Sequence, residues 1–238
     1  MSESLAVPSK LAEIYDARGD DVPLTRPLMQ GDVLADVDIP GFGPGSGLAM
    51  IMMHPCSMRI GPTLRKRLVV ARVVSHQALS LAQWADGNYD YMPLPDLMGE
   101  GIDDPAYASC FRDVGSVKTA DLDLRRRIAI LSARGIVYLQ QRHVHSQTRV
   151  VVDLETLSAQ MLPVFDEIEL QEEWVDSALK AGEPASDEIA SIQLAEKEFQ
   201  DFLSADDNNL RNGLKNPLRS TEVRRAVRLE ARRRYSQT

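Results

Sequence analysis

GDVLADVDIPGFGPGSGLAMIMMH, residues 31–54, decides the fold class. Val33, Val37 and Ile39 are β-branched and alternate with aspartates, the composition of a strand with one face in water. Residues 41–47 hold four glycines, which tolerate positive φ and make a flexible loop. Leu48–His54 then runs apolar between Gly47 and Pro55, as a fully buried strand does.

Outward from this pair, Leu68–Ser75 (LVVARVVS) is a second buried run and Ala108–Val117 a further strand. Tyr89–Leu94 alternates and reads as an edge strand, where Pro93 is tolerated because no ladder bond is asked of it. Leu79–Ala85 predicts one or two helical turns, and residues 95–106, acidic and rich in Pro and Gly, an exposed loop. Residues 1–27 form a polar lead-in with a short amphipathic piece at Leu11–Tyr15. After Asp121 the period changes: Leu124, Ile128, Leu131, Ile136 and Leu139 recur at helical spacing, with Asp121 or Asp123 as the cap. From residue 151 the composition is helical and charged. Val164, Ile168, Trp174 and Leu179 mark one helix, Ser186 caps a second that runs through Ser204, and an Arg-rich helix spans Ser220–Tyr235. ADDNNLRNGLKNP reads as the loop before it. The expected fold is α+β: a small, strongly curved barrel followed by a helical C-terminal extension. The expected domains are 1–25, a lead-in; 26–150, the barrel with its helix; and 151–238, the extension.

The net charge of −8 over 238 residues conceals a division. Residues 151–208 carry 16 Asp and Glu against Lys180 and Lys197, while residues 209–238 carry nine Lys and Arg against Glu222 and Glu230. Such segregation favours attraction within or between chains, or a tail for polyanions. The simplest reading lays the cationic last helix on the acidic middle helices. The three arginines of LRRRIAI (Leu124–Ile130) oppose the dipole of the helix they are expected to open, so the acidic region 151–208 is their expected partner.

No run reaches the roughly 18 apolar residues that a bilayer span needs, and MSESLAVPSK has neither the basic nor the apolar region of a secretory signal. Cys56 and Cys110 cannot build a disulfide framework. A cytoplasmic protein without a membrane partner is expected.

The opening QGDVLADVDIP, Gln30–Pro40, resembles the strand with which MazF/PemK-type toxins begin. AMIMMH and LVVARVVS fall where that family carries its next two strands, and Phe111–Ser132 is similar to its late strand and helix. The resemblance covers residues 26–148 in element order. It implies an SH3-like barrel and a metal-independent endoribonuclease in a toxin–antitoxin or phage-defence setting, a homodimer or complex subunit with no cofactor. The family's arginine at the head of the second strand has no counterpart, since Gly47 and Leu48 stand there. A relocated cation or a non-catalytic role is therefore implied.

HPCSMR, His54–Arg59, is the densest cluster of reactive types. His54 suits a general base, Cys56 a thiolate, and Arg59 a holder of phosphate or oxyanion. The plain alternative is that Pro55 ends the strand and Cys56 packs as a small hydrophobe. With Ser75 at the family's small-hydroxyl position, the expected catalytic set is His54, Arg59 and Ser75. Arg59–Leu68 gathers three arginines and a lysine between two strands. Arg65, Lys66, Arg67, Arg72 and His76 are the expected nucleic-acid contacts, with RNA rather than DNA as ligand. An acidic protein is the alternative partner, and a non-catalytic module that assembles a larger complex the alternative function. His54 and Cys56 with His143 and His145 lack the spacing of a zinc site, and no metal is expected. No phosphate-binding loop, dinucleotide-binding pattern or nucleophile elbow is present.

Overall fold

The computed structural model describes residues 4–42, 45–60, 63–99, 106–182, 187–205 and 210–235. Contacts divide the chain into two units. One comprises Met1–Pro23, Leu28–Met58 and Arg65–Gln160; the other comprises Leu24–Pro27, Arg59–Leu64 and Met161–Thr238.

The first unit is a seven-stranded antiparallel sheet with its helices. Its strands are β1 (Tyr15–Arg18), β2 (Val33–Val37), β3 (Gly47–Ile51), β6 (Arg67–His76), β7 (Tyr91–Leu94), β8 (Ala106–Lys118) and β9 (Arg127–Leu131). Continuous apolar runs put Ala49, Met50 and Ile51 of β3 and Leu68, Val70 and Ala71 of β6 fully inside. Short helices α1 (Pro55–Met58) and α2 (Leu81–Ala85) follow β3 and β6. Ser80 and Gln83 close a reciprocal cap on α2. The longer α3 (Ala133–Thr148) is capped by Ser132, whose Oγ accepts from Gly135 N–H at 3.0 Å. Gly135 is required here, since a Cβ would lie 2.1 Å from the carbonyl oxygen of Ile14.

The sheet is open, and the expected barrel is absent. Its order is β1-β9-β2-β3-β6-β8-β7, and neither edge strand bonds to the other. A barrel requires that last pairing. Both edges are four residues long, and β7 carries Pro93, which has no N–H to offer a further strand.

Two strands replace expected elements. β1 pairs with β9 inside the supposed polar lead-in, and β9 occupies the first part of the expected helix. Asp123 caps a single 3-10 turn, Leu124–Arg126, and the chain then extends. The three arginines therefore do not open a helix, and each pairs with a carboxylate of the first unit. Arg125 pairs with Asp123 at 2.9 Å, Arg126 with Asp36 at 3.4 Å and Arg127 with Asp32 at 2.9 Å.

The QGD segment has a local physical role. Gly31 has φ +90°, a conformation that costs little only for glycine. The turn it makes lets the buried Asp32 accept from Met29 N–H at 3.0 Å. Buried Gln30 donates to Met52 O and accepts from Gln140, both at 2.9 Å.

The second unit contains most of α4 (Leu154–Ala181), with α5 (Glu188–Ser204), α6 (Leu210–Leu214), α7 (Ser220–Tyr235) and the hairpin β4 (Arg59–Ile60)–β5 (Thr63–Leu64). Trp174, Phe199, Val223 and Val227 are central to its core. α6 interrupts the expected loop, and Asp187, not Ser186, caps α5; Ser186 lies outside the described residues. α7 does lie against acidic residues of α4. Arg224 bonds Asp166 at 2.7 Å and Glu169 at 3.0 Å, and Arg228 bonds Glu169 at 3.0 Å and Glu173 at 2.6 Å.

These pairs set a pH dependence. Hydrogen bonds from Arg228 hold the Glu173 carboxyl below its ordinary range, and those from Arg233 and Arg234 hold Glu230 down to about 2 from its ordinary 4.5. A carboxylate with a depressed folded-state pKa contributes stability that is fully present above its unfolded value and lost as pH falls through the folded one. Helicity followed by circular dichroism is therefore expected to fall between about pH 4.5 and about pH 2. Glu173→Gln is expected to flatten the upper part of that decline; an unchanged acid limb would refute the role of this pairing.

Candidate nucleic-acid interface

The antiparallel register fixes where the predicted site residues lie within the sheet. Arg67 and Ser75 stand near opposite ends of β6. Eight residues of strand separate them by roughly 26 Å. β3 runs against β6 with Leu48 opposite Val73 and Ile51 opposite Val70, and Met52 N–H donates to Val69 O at 2.9 Å. The chain leaving β3 therefore reaches His54 at the Arg67 end. His54 and Ser75 do not converge on one reacting atom.

At the far end, Ser75 is exposed opposite Tyr107. The His76 ring rests on Tyr91, centroids 4.6 Å apart, with Nδ1 2.8 Å from Gln77 O. Arg72 lies mid-strand, paired with Asp113 at 3.6 Å and 5.8 Å from the centroid of the Phe42 ring. Arg59 belongs to the helical unit, where it pairs with Glu196 at 3.6 Å and both side chains are mostly buried. Its charge is already matched by a carboxylate. His54 is half-buried, and burial lowers its pKa, which leaves the ring neutral at pH 7. Its Nδ1 accepts from Cys56 N–H at 3.2 Å, and Cys56 is an exposed free thiol.

The histidines of α3 are turned to aromatic rings: His143 to Phe111 at 5.2 Å and His145 to Tyr89 at 4.6 Å. Among the described residues, no three His, Cys, Asp or Glu side chains are grouped to hold a metal ion. Nor, among them, is any helix long and apolar enough to cross a membrane.

What the fold does bring together is positive charge. Arg65, Lys66 and Arg67 are exposed at the start of β6, and exposed Lys118 is the direct cross-strand partner of Arg67. Thr119 ties the two segments, donating from its backbone N to Lys66 O at 3.0 Å and from Oγ1 to Arg65 O at 2.5 Å. Arg65 Nε is held by Ser57 O at 2.7 Å, and Arg67 by Ser116 Oγ at 3.0 Å and by Ser116 O. None of the four forms an ion pair with a carboxylate among the described residues, whereas most arginines of the chain do. Like charges directly opposite on a sheet repel, so this corner is improved by an anion that spans both strands. Lys118 was not among the expected contacts: fifty-one residues separate it from Arg67, and only pairing joins them.

No protein-family model and no curated protein matches the chain.

Proposed function

We propose that this protein is a non-catalytic RNA-binding module that grips the phosphate backbone at the Arg65–Lys66–Arg67 and Lys118 corner. The observation that carries the reading is the like-charge pair Arg67–Lys118, uncompensated by any carboxylate among the described residues, with the Arg67 guanidinium already fixed on Ser116. Four cations at one corner, with the Arg65 and Arg67 guanidinium groups held by hydrogen bonds, suit successive phosphates. RNA stands before DNA because of the resemblance of the Gln30–Pro40 segment itself to the opening strand of MazF/PemK-type toxins, a resemblance of sequence that does not extend to their barrel. The non-catalytic reading rests on the separation of His54 from Ser75 and on the commitment of Arg59 to Glu196. The protein acts in the cytoplasm as a subunit of a larger assembly.

The test is fluorescence anisotropy with a labelled single-stranded RNA over a range of salt concentrations. Four phosphate contacts give a log–log salt slope of about −3. Lys66→Glu/Arg67→Glu/Lys118→Glu is expected to bring that slope close to zero and to weaken binding by about a hundredfold at 50 mM salt. An unchanged slope in the triple variant sinks the reading, as does an absence of binding by the parent. RNA cleavage in EDTA that His54→Ala abolishes would overturn its non-catalytic part.

A further inference from the structure

α7 carries two rows of arginine, and only one is consumed by folding. Arg224 and Arg228 hold the carboxylates of α4. Arg225 and Arg232 stand on a different row. They are exposed and form no ion pair among the described residues; Arg232 acts on Glu173 through its field. Of the two carboxylates on the helix, Glu230 is engaged by Arg233 and Arg234, and Glu222, three residues before Arg225, forms no ion pair with it among the described residues. Between Arg225 and Arg232 lies Leu229, 67% exposed on a helix whose two valines, Val223 and Val227, are buried.

Thr221, Arg225, Leu229 and Arg232 are spaced four, four and three residues apart, so they run along one side of the helix. With Arg224 and Arg228 they make up one open side of the helix. Two guanidinium groups seven residues apart are separated by about 10.5 Å of rise, which is also the separation of two carboxylates two turns apart on another helix. A phosphate backbone would satisfy the arginines but leave Leu229 without an apolar partner. An amphipathic acidic helix satisfies both.

We propose that this row docks an acidic helical segment of a partner protein, with two of its carboxylates on Arg225 and Arg232 and an apolar side chain on Leu229. The row shares no residue with the RNA-binding corner, and the proposal stands whether or not that reading does.

The probe is a fluorescein-labelled synthetic peptide of about 20 residues, long enough to be helical in water, with a leucine stripe flanked by glutamates. Titrated with the full chain, it is expected to bind more weakly as salt rises. Arg225→Glu/Arg232→Glu is expected to weaken binding at least about tenfold, and Leu229→Ala severalfold. The same peptide with lysine for glutamate is expected not to bind. Lys66→Glu/Arg67→Glu/Lys118→Glu is expected to bind the peptide as the parent does, which separates this surface from the RNA corner. Three results overturn the proposal: no binding by the parent, no loss in the double variant, or displacement of the peptide by single-stranded RNA that the double variant also fails to bind. Should the double variant melt below the parent, Leu229→Ala decides, because that side chain is mostly in water and its truncation leaves the core intact.

Discussion

Arg142→Met is expected to lower the free energy of unfolding by about 3–5 kcal/mol through the loss of three hydrogen bonds to a cation, a large part of the margin of a domain this size. Arg142 is fully buried on α3, and among the described residues no carboxylate bonds to it. Its guanidinium instead donates to three backbone carbonyls: Tyr91 O at 2.8 Å, Trp84 O at 2.7 Å and Asn88 O at 2.9 Å. It also lies 5.5 Å from the centroid of the Trp84 ring. Burial pushes its pKa down to about 10, the mark of a cation held by dipoles alone. Those carbonyls belong to the end of α2, to the turn after it and to the start of β7, so one planar fork ties three segments to α3. Methionine fills the volume but removes all three donors: Trp84 O loses a buried hydrogen bond, Tyr91 O a partly buried one, and Asn88 O keeps only that from Tyr91 N–H at 3.1 Å. Arg142→Lys is expected to recover little, because one ammonium cannot reproduce the spread of the fork. Urea denaturation followed by circular dichroism reads the effect. A loss under about 1 kcal/mol would mean that water satisfies the carbonyls and that the clamp is dispensable.

This clamp also shows where residue patterns stop informing. Unbroken apolar runs placed β3 and β6, since few alternatives accommodate Leu48–Ile51 and Leu68–Val74. Alternation and Pro93 placed β7 at an edge, and the charge of the last helix found its acidic counterpart on α4. β1 was illegible because YDAR carries no apolar alternation and exists as a strand through its pairing with β9. β9 was misread because Leu124, Ile128 and Leu131 fall at helical spacing, although RIAIL is also a short apolar run. The barrel failed for a similar reason: curvature and closure depend on which edge strands meet, and no local composition encodes that meeting. The site suffered most. Residues near in sequence, such as His54 and Arg59, invite a common role, yet Arg59 is committed to Glu196. Arg67 and Lys118, distant in sequence, became neighbours through a register invisible in either segment. Nothing in QQRHVH marks Arg142 as the residue that three carbonyls surround.

The same dependence on pairing gives the second large effect. Asp32→Ala is expected to cost about 3–5 kcal/mol, because it leaves the buried Arg127 guanidinium without that carboxylate. The side chains of Arg127 and Asp32 are 0% and 2% exposed, and their atoms lie 2.9 Å apart. Asp32 sits at the turn into β2 and Arg127 opens β9, strands that are neighbours in the sheet though 95 residues apart in sequence. Arg127 also donates to Pro23 O at 2.7 Å, which pins the approach to β1–β9. Removing one partner exposes the desolvation cost of the other, whereas removing both does not. The double replacement Asp32→Leu/Arg127→Met is therefore expected to be more stable than Asp32→Leu alone, a coupling that a double-mutant cycle in urea measures directly. Additive losses would show that each group acts through its backbone contacts instead, with Asp32 capping Met29 N–H and Arg127 holding Pro23 O. Coupling above about 1 kcal/mol would assign the β2–β9 junction to the ion pair itself. That junction is where the sheet could have closed differently, since β9 here returns beside β2 and leaves β1, not β7, as its other neighbour. A charge pair that can form only in this register penalises every slipped alternative, in which a buried arginine would face carbon.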